Sequence, residues 1–340
     1  MIPAADRFSG FIIGQCLGDA LGFLVEGEAP HVCARYARDI VRQGKLPRQT
    51  RDGYAFGQYS DESQMARELM ESYVVCAGFD PEDYARRIAA LFSEDRVVGR
   101  GRTTEEAAYR LAQGVPWREA GTPAPLAGNA SAMRAGVLGL LYGDRPDELI
   151  RLACQQSVIT HADPRCSAGA VAMAGAIALA AGGTPADGAA FLEPLRRWTH
   201  QVEPALSTAL RRLEELLGQP AEQAAEAISR LGLPPGVDSQ WRGGVSAFVL
   251  SSVVWALYAF LKHPDDYLEA VAVAIEAGGD VDTTAAMAGA LVGARHGLAA
   301  IPKPLTLHLN DHGGWRYNDL LELAAACHEV GCRAAAGSPP

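Results

Sequence analysis

The stretch that most restricts the fold is a run of small residues near the end of the chain, TTAAMAGALVGARH at positions 283–296. Ala285, Gly289 and Gly293 recur there at a spacing of four, and residues four apart share one face of an α-helix. The run therefore predicts a helix with one smooth face, against which a neighbouring helix can pack closely. Such faces are known from membrane helices, but this segment is too short to span a bilayer.

Helical periodicity dominates the rest of the chain, from Ser9–Leu24 to Asp319–Val330. No run alternates with a period of two for long enough to predict a strand. We expect the first helix to break at Gly18–Gly22, and a long apolar helix to span Gly243–Lys262. The pattern predicts an all-α protein.

The domain organisation follows from the absence of any linker rich in Pro, Gly and Ser. We expect one compact multi-helix domain over residues 1–332, followed by a disordered tail at 333–340. Segments 41–59 and 231–244 are predicted to be long loops, and long loops inside compact domains often carry function.

Charge and cysteine usage restrict the partners and the compartment. The net charge is −10 and no basic run exceeds a pair of arginines, which argues against a nucleic-acid groove. The seven cysteines form no CxxC pair, a pattern typical of reduced thiols in the cytoplasm. Residues 245–261 are uncharged and just long enough to span a bilayer, but the serines among them favour a buried core helix. We expect neither a nucleic-acid nor a membrane partner.

Two aspartates precede the small-residue helix in the sequence GGDVDTT. Residues two apart on a helix face different ways, so Asp280 and Asp282 converge only if the chain turns at Gly278–Gly279 and the helix starts near Thr283. Carboxylate and hydroxyl oxygens are the ligands that Mg²⁺ and Mn²⁺ prefer. The alternative is a plain helix cap, because Asp and Thr are common N-caps.

A second acidic cluster, SDES at 60–63, again places a hydroxyl beside two acids before a helix. Two such clusters are what a binuclear, oxygen-ligated centre would use, since Asp61 and Glu62 would repel the other two aspartates without cations between them. Glu26, which follows GQCLGDALGFLV, is a candidate general acid or base or an outer metal contact. The alternative for Glu26 is a solvated loop glutamate.

Two further motifs are compatible with a ligand but are less specific. The sequence GNAS, Gly128 to Ser131, enters a helix and could offer backbone N–H groups to a phosphate, although an ordinary cap by Asn129 or Ser131 explains it equally well. His161 in THADP precedes another small-residue helix and could be a ligand contact or a structural histidine.

Taken together, these motifs resemble the ADP-ribosylglycohydrolase family. The matching segments, in the family's order, are GDALG with Glu26 after it, SDESQMA at 60–66, GNASAMR at 128–134, THADP at 160–164 and GGDVDTTAAMAGALVGA at 278–294. The resemblance covers nearly the whole chain. It implies a single all-α domain with two metal ions in a cleft.

The resemblance also implies roles for individual residues. The implied metal ligands are Ser60, Asp61, Glu62, Asp280, Asp282 and Thr283. The implied catalytic residues are Glu26, Asp61 and Asp280. The implied substrate-binding residues are Gly128, Asn129, Ala130, Ser131 and His161. The expected cofactors are two divalent cations, Mg²⁺ ahead of Mn²⁺, and the expected partners are an ADP-ribosylated protein substrate and the ADP-ribose product.

The sequence departs from the family's pattern in places. Ser60-Asp61-Glu62-Ser63 stands where the family commonly has Thr-Asp-Asp-Thr, and Ala130 stands where it has glycine. The residues before Gly128 supply no aromatic ring for the adenine. The candidates for that contact are Tyr54, Phe56, Tyr59 and Trp241.

The reaction implied by the resemblance is hydrolysis of the bond at the anomeric carbon of the distal ribose, with an oxocarbenium-like transition state. ADP-ribosyl-arginine is the expected substrate, and serine-linked or O-acyl-ADP-ribose is the alternative within the enzyme class. Two other hypotheses remain: a weakly active ADP-ribose-binding relative, and a metal-dependent phosphohydrolase that cleaves the diphosphate.

Overall fold

A computed structural model describes residues 1–232 and 243–336 of the chain. Within these ranges it contains eighteen α-helices and one two-stranded antiparallel ribbon. The first half comprises α1 Ala5–Phe23, α2 Pro30–Tyr36, β1 Thr50–Arg51, β2 Tyr54–Ala55, α3 Asp61–Cys76, α4 Pro81–Ser93, α5 Arg102–Ala112, α6 Trp117–Ala120, α7 Ala130–Met133, α8 Gly136–Tyr142 and α9 Pro146–Val158. The second half comprises α10 Pro164–Ala181, α11 Gly188–His200, α12 Pro204–Leu216, α13 Ala221–Ser229, α14 Val249–Lys262, α15 Tyr267–Glu276, α16 Val281–His296, α17 Lys303–Thr306 and α18 Tyr317–Ala335. The predicted all-α class is confirmed.

Helices α1 and α16 form a backbone-to-backbone contact at the centre of the protein. A Cβ atom built on Gly14 would lie 2.4 Å from the carbonyl oxygen of Gly289, and one built on Gly293 would lie 2.0 Å from the carbonyl oxygen of Gly10. Both distances are shorter than any real Cβ contact, so the helices approach this closely only because neither face carries side chains. The expected close packing of the small-residue helix is confirmed, and its neighbour is α1.

The predicted break of the first helix at Gly18–Gly22 is wrong, because α1 runs unbroken to Phe23. A Cβ atom on Gly18 would lie 2.2 Å from the carbonyl oxygen of Ala285, and one on Gly22 would lie 2.5 Å from the Cα atom of Asp282. Glycine inside a helix costs about 1 kcal/mol relative to alanine. These glycines therefore serve the contact with α16 rather than a turn.

The predicted helix over Gly243–Lys262 begins later, at Val249. Gly243 and Gly244 have φ values of 86° and 90°, which α-helices do not allow. Val245 then pairs with Gly279 and Phe248 pairs with Gly128 as isolated β-bridges. The segment before α14 therefore holds two loops in place instead of extending the helix.

The predicted tail and the predicted loop 231–244 both include residues that the structure does not describe. Helix α18 continues to Ala335, three residues beyond the predicted domain end at 332, because the alanines there favour helix. Residues 337–340 of the predicted tail, and residues 233–242 of the predicted loop, lie outside the described residues.

Two apolar helices are buried in the core. Residues 249–261 of α14 are buried throughout, as expected for a core helix. Helix α10 is long and apolar enough by composition to cross a membrane, but 72% of it is buried inside the protein. All seven cysteines fall within the described ranges and are free thiols.

The α1–α16 contact predicts the effect of one added methyl group. Gly289→Ala would place a Cβ atom 2.4 Å from the backbone oxygen of Gly14, where no side chain can move away. We expect the free energy of unfolding to fall by about 3 kcal/mol, the upper part of the range for overpacked cores. Chemical denaturation measures the change.

The matched control for this experiment is Gly218→Ala, because a Cβ atom on Gly218 meets nothing within 4 Å. It should leave stability unchanged or raise it slightly. Equal stabilities of the Gly289→Ala variant and the control would contradict the close contact.

Candidate metal centre

Two glycines form the turn that directs the chain into the site at the start of α16. Gly278 and Gly279 have φ values of 72° and 90°, a region that favours glycine. The Asp280 N–H donates to the carbonyl oxygen of Val245 at 2.8 Å, and the Gly27 N–H donates to the carbonyl oxygen of Gly279 at 2.9 Å. The predicted turn at Gly278–Gly279 is therefore present, and it brings the segment containing Glu26 next to Asp280.

Three carboxylates from two distant segments converge at this turn. Glu26, Asp280 and Asp282 each offer an oxygen, and these oxygens lie within 4.8 Å of one another. Both aspartates are buried, whereas the Glu26 side chain is 22% exposed. Glu26 is thus one wall of the acidic group rather than a solvated loop glutamate.

The second acidic cluster joins the first through the hydroxyl of Thr283. This hydroxyl lies 2.7 Å from Glu62 Oε1 and 3.1 Å from Asp280 Oδ1, within hydrogen-bond distance of both. The Glu62 side chain also contacts the hydroxyl of Ser60. The longer glutamate at position 62 therefore spans the space between the start of α3 and the start of α16.

Asp61 stands at the same helix start and is also buried. Its N–H donates to the carbonyl oxygen of Val98 at 2.7 Å. A Cβ atom on Gly99 would lie 2.9 Å from Asp61 Oδ1, so the segment after α4 covers this carboxylate at close range. The structure thus places all six predicted metal ligands, Ser60, Asp61, Glu62, Asp280, Asp282 and Thr283, at the adjoining starts of α3 and α16.

Asp19 is the important residue that sequence reasoning missed. Its carboxylate accepts hydrogen bonds from the Ser60 N–H at 3.0 Å, the Ser60 hydroxyl at 2.7 Å and the Ser63 N–H at 3.1 Å. It is fully buried on α1, and it orients Ser60 from behind. The signal was present in the sequence, since an aspartate on the apolar face of a helix needs a specific partner.

The helix-cap alternative does not explain these acids. Elsewhere Asp80, Asp163 and Asp266 cap their helices by accepting N–H groups of the first turn. In the described part of the chain, by contrast, Ser60 and Asp280 occupy the N-cap positions of α3 and α16 without a side-chain capping bond. The Ser60 hydroxyl contacts Asp19 and Glu62 instead, and the Asp280 carboxylate accepts from Asn129 and Thr283.

Crowding and burial disfavour the charged form of these carboxyls. Burial, and next the charge of Glu62, raise the pKa of Asp19 to about 8 and that of Asp280 to about 7. Burial and neighbouring carboxylates raise the pKa values of Asp61 and Asp282 well above their usual range. Burial also raises the pKa of Glu26, while the nearby Arg51 opposes that shift.

A divalent cation fits this donor set. The group contains only oxygen donors, which suits Mg²⁺ or Mn²⁺, and its carboxylates are buried close together with raised pKa values. Positive charge placed among them would remove the repulsion that raises those pKa values.

The segment Gly128–Ser131 lies directly beside the acids. Asn129 Nδ2 donates to Asp280 Oδ2 at 2.5 Å, so the predicted substrate loop is fixed to the acidic group. Ala130 begins the short helix α7, and the Ser131 hydroxyl donates to the carbonyl oxygen of Cys166 at 3.0 Å. Ser131 is thus occupied in holding α10, while Asn129 borders the site.

His161 is fully buried, and both of its ring nitrogens are engaged. Nε2 lies 2.9 Å from the Thr103 hydroxyl, and Nδ1 lies 2.8 Å from the Thr160 hydroxyl. Burial, and next the charge of Arg134, lower the pKa of His161 to about 3, so the ring is neutral. It supports Gly128, whose added Cβ atom would lie 3.1 Å from Nε2, and a nucleotide contact by His161 stays a prediction.

The four candidates for an adenine contact differ in accessibility. Tyr59 and Phe56 are buried, and the Tyr59 hydroxyl donates to the carbonyl oxygen of Trp315 at 3.1 Å. Tyr54 is half-buried, with its ring edge-on to those of Phe23 and His312. Trp241 lies outside the described residues.

The chain is similar over most of its length to several known proteins. A model of the ADP-ribosylglycohydrolase family matches residues 2–336. ADP-ribosylhydrolase ARH3 of Bos taurus is 30% identical, and the alignment covers 87% of each chain. ADP-ribosylarginine hydrolase Tri1 of Serratia proteamaculans is 24% identical, with coverage of 88% of this chain and 74% of that protein. A solved structure described as an ADP-ribosylglycohydrolase-related protein complex matches with a TM-score of 0.68 and 28% identity, covering 96% of this chain and 98% of the other.

The raised pKa values predict an unusual pH dependence of stability in EDTA. Asp19 and Asp280 have folded pKa values of about 8 and about 7, above the unfolded value of 3.8. An acid with a raised folded pKa binds its proton more tightly in the folded state, so its contribution to stability is lost as the pH rises through that range. We expect the melting temperature in EDTA to be lower at pH 8.5 than at pH 6.

Two variants and added Mn²⁺ test whether these carboxyls cause the fall in melting temperature between pH 6 and pH 8.5. Asp280→Asn should reduce this fall. Asp187→Asn should not, because Asp187 is an exposed N-cap residue without a side-chain bond among the described residues. Saturating Mn²⁺ should raise the melting temperature most at pH 8.5, where the ligands are deprotonated. A melting temperature in EDTA that rises with pH would contradict the described electrostatics.

Proposed function

This chain belongs to the ADP-ribosylglycohydrolase family, and on that premise we propose that it is a metal-dependent hydrolase that releases ADP-ribose from modified protein side chains. Family membership supports ADP-ribosyl hydrolase activity. The observation that carries the proposal is the convergence of Glu26, Asp280 and Asp282 within 4.8 Å. Glu62 and Ser60 adjoin this group, and the segment containing Asn129 borders it.

The reaction we propose is substitution by water at the anomeric carbon of the distal ribose. The bond from this carbon to the side-chain atom breaks, the oxygen of water forms the new bond, and one proton of that water passes to the leaving group. Glu26 is placed to move this proton, because it is the most exposed of the three converging carboxylates and its pKa is raised.

The other residues of the site would hold the cations and orient the substrate. Ser60, Asp61, Glu62, Asp280, Asp282 and Thr283 would hold two divalent cations, with Mg²⁺ as the proposed ion and Mn²⁺ as the alternative. When bound, such cations neutralise the carboxylates, orient ribose hydroxyls and polarise water. Asp61 and Asp280 thereby support catalysis, and the segment Gly128–Ser131 would border the ADP-ribose.

The side-chain linkage is the finer part of the proposal, and we propose arginine. An ADP-ribosylated guanidinium is cationic, and a chain of net charge −10 would attract it. One relative, Tri1, is named an ADP-ribosylarginine hydrolase, whereas the name ADP-ribosylhydrolase ARH3 states no linkage. Serine-linked or O-acyl-ADP-ribose is therefore the alternative substrate.

Two other functions would be recognised by different outcomes of a hydrolysis assay. A protein that binds ADP-ribose without turnover would show affinity but no release from any linkage. A phosphohydrolase would yield a cleaved diphosphate instead of intact ADP-ribose.

We further propose that the protein acts in the cytoplasm on a modified protein.

The proposal predicts metal-dependent release of intact ADP-ribose. Arginine-linked, serine-linked and O-acyl-ADP-ribose substrates would be incubated in parallel with Mg²⁺, with Mn²⁺ and with EDTA. We expect release from the arginine-linked substrate with either cation and none in EDTA, with the product identified by mass spectrometry. Release only from the serine-linked or O-acyl substrate would replace the arginine assignment and keep the hydrolase. No release from any substrate would contradict the proposed function.

Two substitutions test the binding of the cations and the movement of the proton. Asp282→Asn removes a carboxylate from the converging group and should lower Mn²⁺ affinity and activity together, each by at least about 100-fold. Glu26→Gln should lower kcat by about 100-fold or more while the affinity for ADP-ribose changes little. Calorimetry and steady-state kinetics measure the two effects.

The control for both substitutions is circular dichroism of the purified variants. Global unfolding of the Asp282→Asn variant would support a capping role for this aspartate. An unchanged kcat in the Glu26→Gln variant would remove Glu26 from the proton transfer.

A further inference from the structure

We propose that Arg51 is a positioning residue that holds the Glu26 carboxylate against Asp280 and Asp282, so that the ribbon β1–β2 sets the affinity of the site for divalent cations. This inference rests on the proposed metal-dependent function. Arg51 lies in the predicted loop 41–59, on a two-residue strand, and outside the motifs that carry the family resemblance.

Arg51 is anchored on three sides. Its Nη1 donates to the carbonyl oxygen of Phe23, the last residue of α1, at 3.1 Å, and also to the carbonyl oxygen of Glu26. The guanidinium carbon lies 5.3 Å from the centre of the Phe23 ring. A cation at the carboxyl end of a helix also interacts favourably with the helix dipole. These contacts fix the guanidinium relative to α1, independently of its contact with the Glu26 carboxylate.

The fixed guanidinium contacts the Glu26 side chain. Arg51 Nη2 lies 3.0 Å from Glu26 Oε2, and Nε lies 3.5 Å from the exposed Asp52. The planar guanidinium can bind the backbone oxygens and the carboxylate at the same time, which a lysine ammonium cannot do in this geometry. Arg51 thus holds the Glu26 carboxylate, which also belongs to the acidic group.

Glu26 benefits from such an anchor because charged neighbours repel it. The charges of Glu62 and Asp52 act against a charged carboxylate at this point, whereas a hydrogen bond with Asp282 favours it. With a side chain that is 22% exposed, Glu26 could reduce this repulsion by rotating into solvent. Arg51 offsets the repulsion and selects the rotamer that faces Asp280 and Asp282.

The charge of Arg51 and its positioning effect act in opposite directions on a bound cation. Simple repulsion would make a cation bind more tightly once Arg51 is removed. Positioning predicts the reverse, since partners that orient a metal ligand typically change metal affinity by about 10- to 100-fold. The direction of the change therefore decides between the two effects.

The experiment is a calorimetric Mn²⁺ titration of the full chain and its variants. We expect Arg51→Met to weaken Mn²⁺ binding by about tenfold or more, and Arg51→Lys to lie between that variant and the wild type. Arg48→Met, at an exposed arginine in the same loop, is the matched control and should bind Mn²⁺ as the wild type does. If Arg51→Met does not fold, Arg51→Lys decides the matter by the same criterion.

A double variant shows whether Arg51 acts through Glu26. In the Glu26→Gln background, Arg51→Met should cause less than about a twofold further loss of Mn²⁺ affinity, because effects on one interaction are not additive. Wild-type affinity in Arg51→Met, tighter binding, or an undiminished loss in the Glu26→Gln background would each overturn the proposal.

Melting temperatures in EDTA keep this inference separate from the proposed function. Coupled shifts for Arg51→Met and Glu26→Gln support the positioning contact without any metal, and additive shifts overturn it. A wild-type chain that binds no Mn²⁺ contradicts the proposed metal-dependent function, whereas coupled shifts in that same chain would still support the contact between Arg51 and Glu26.

Discussion

Along α1 and α16 the backbones of two helices touch without side chains between them, and the position of every acidic group depends on that contact. Gly22 lies against the Cα atom of Asp282, so the end of α1 reaches the start of α16. Asp19 on α1 can then orient Ser60, and Glu26 just beyond α1 can face Asp280. The glycine spacing allows the two helices to pack closely in the core, and it also sets the distances between the acidic residues of the site.

The electrostatics of the site follow from burying many carboxylates in one place. Burial and mutual repulsion favour their neutral forms, as their raised pKa values indicate. The protein supplies hydrogen-bond donors, Asn129, Thr283 and the N–H groups near Ser60, and the Arg51 guanidinium contacts Glu26. These residues hold the acids in position while leaving a demand for positive charge, which a divalent cation would meet.

Sequence reasoning succeeded where periodicity or a local turn carried the information. The smooth face of α16, the glycine turn before it and the two acidic clusters were all predicted from short patterns. It failed where distant partners decide, since only tertiary contact distinguishes a helix-breaking glycine from Gly18 packed on Ala285. The late start of α14 has the same cause, because Val245 and Phe248 are used by bridges to remote loops. Asp19 was overlooked although its place on the apolar face of α1 marks it, and Arg51 was overlooked because its role exists only in three dimensions.

The pairing of α1 with α16 also bears on how the protein is made. Gly10 leaves the ribosome long before its partner Gly293, because the two residues lie far apart along the chain. Contacts of such long sequence separation form slowly, and exposed apolar surface in an unfinished chain favours aggregation. The bare face of α1 must therefore wait until the ribosome has made the helix that covers it. A cation that met the chain before α16 was made would find only half of the proposed site, so it would bind only after that helix is in place.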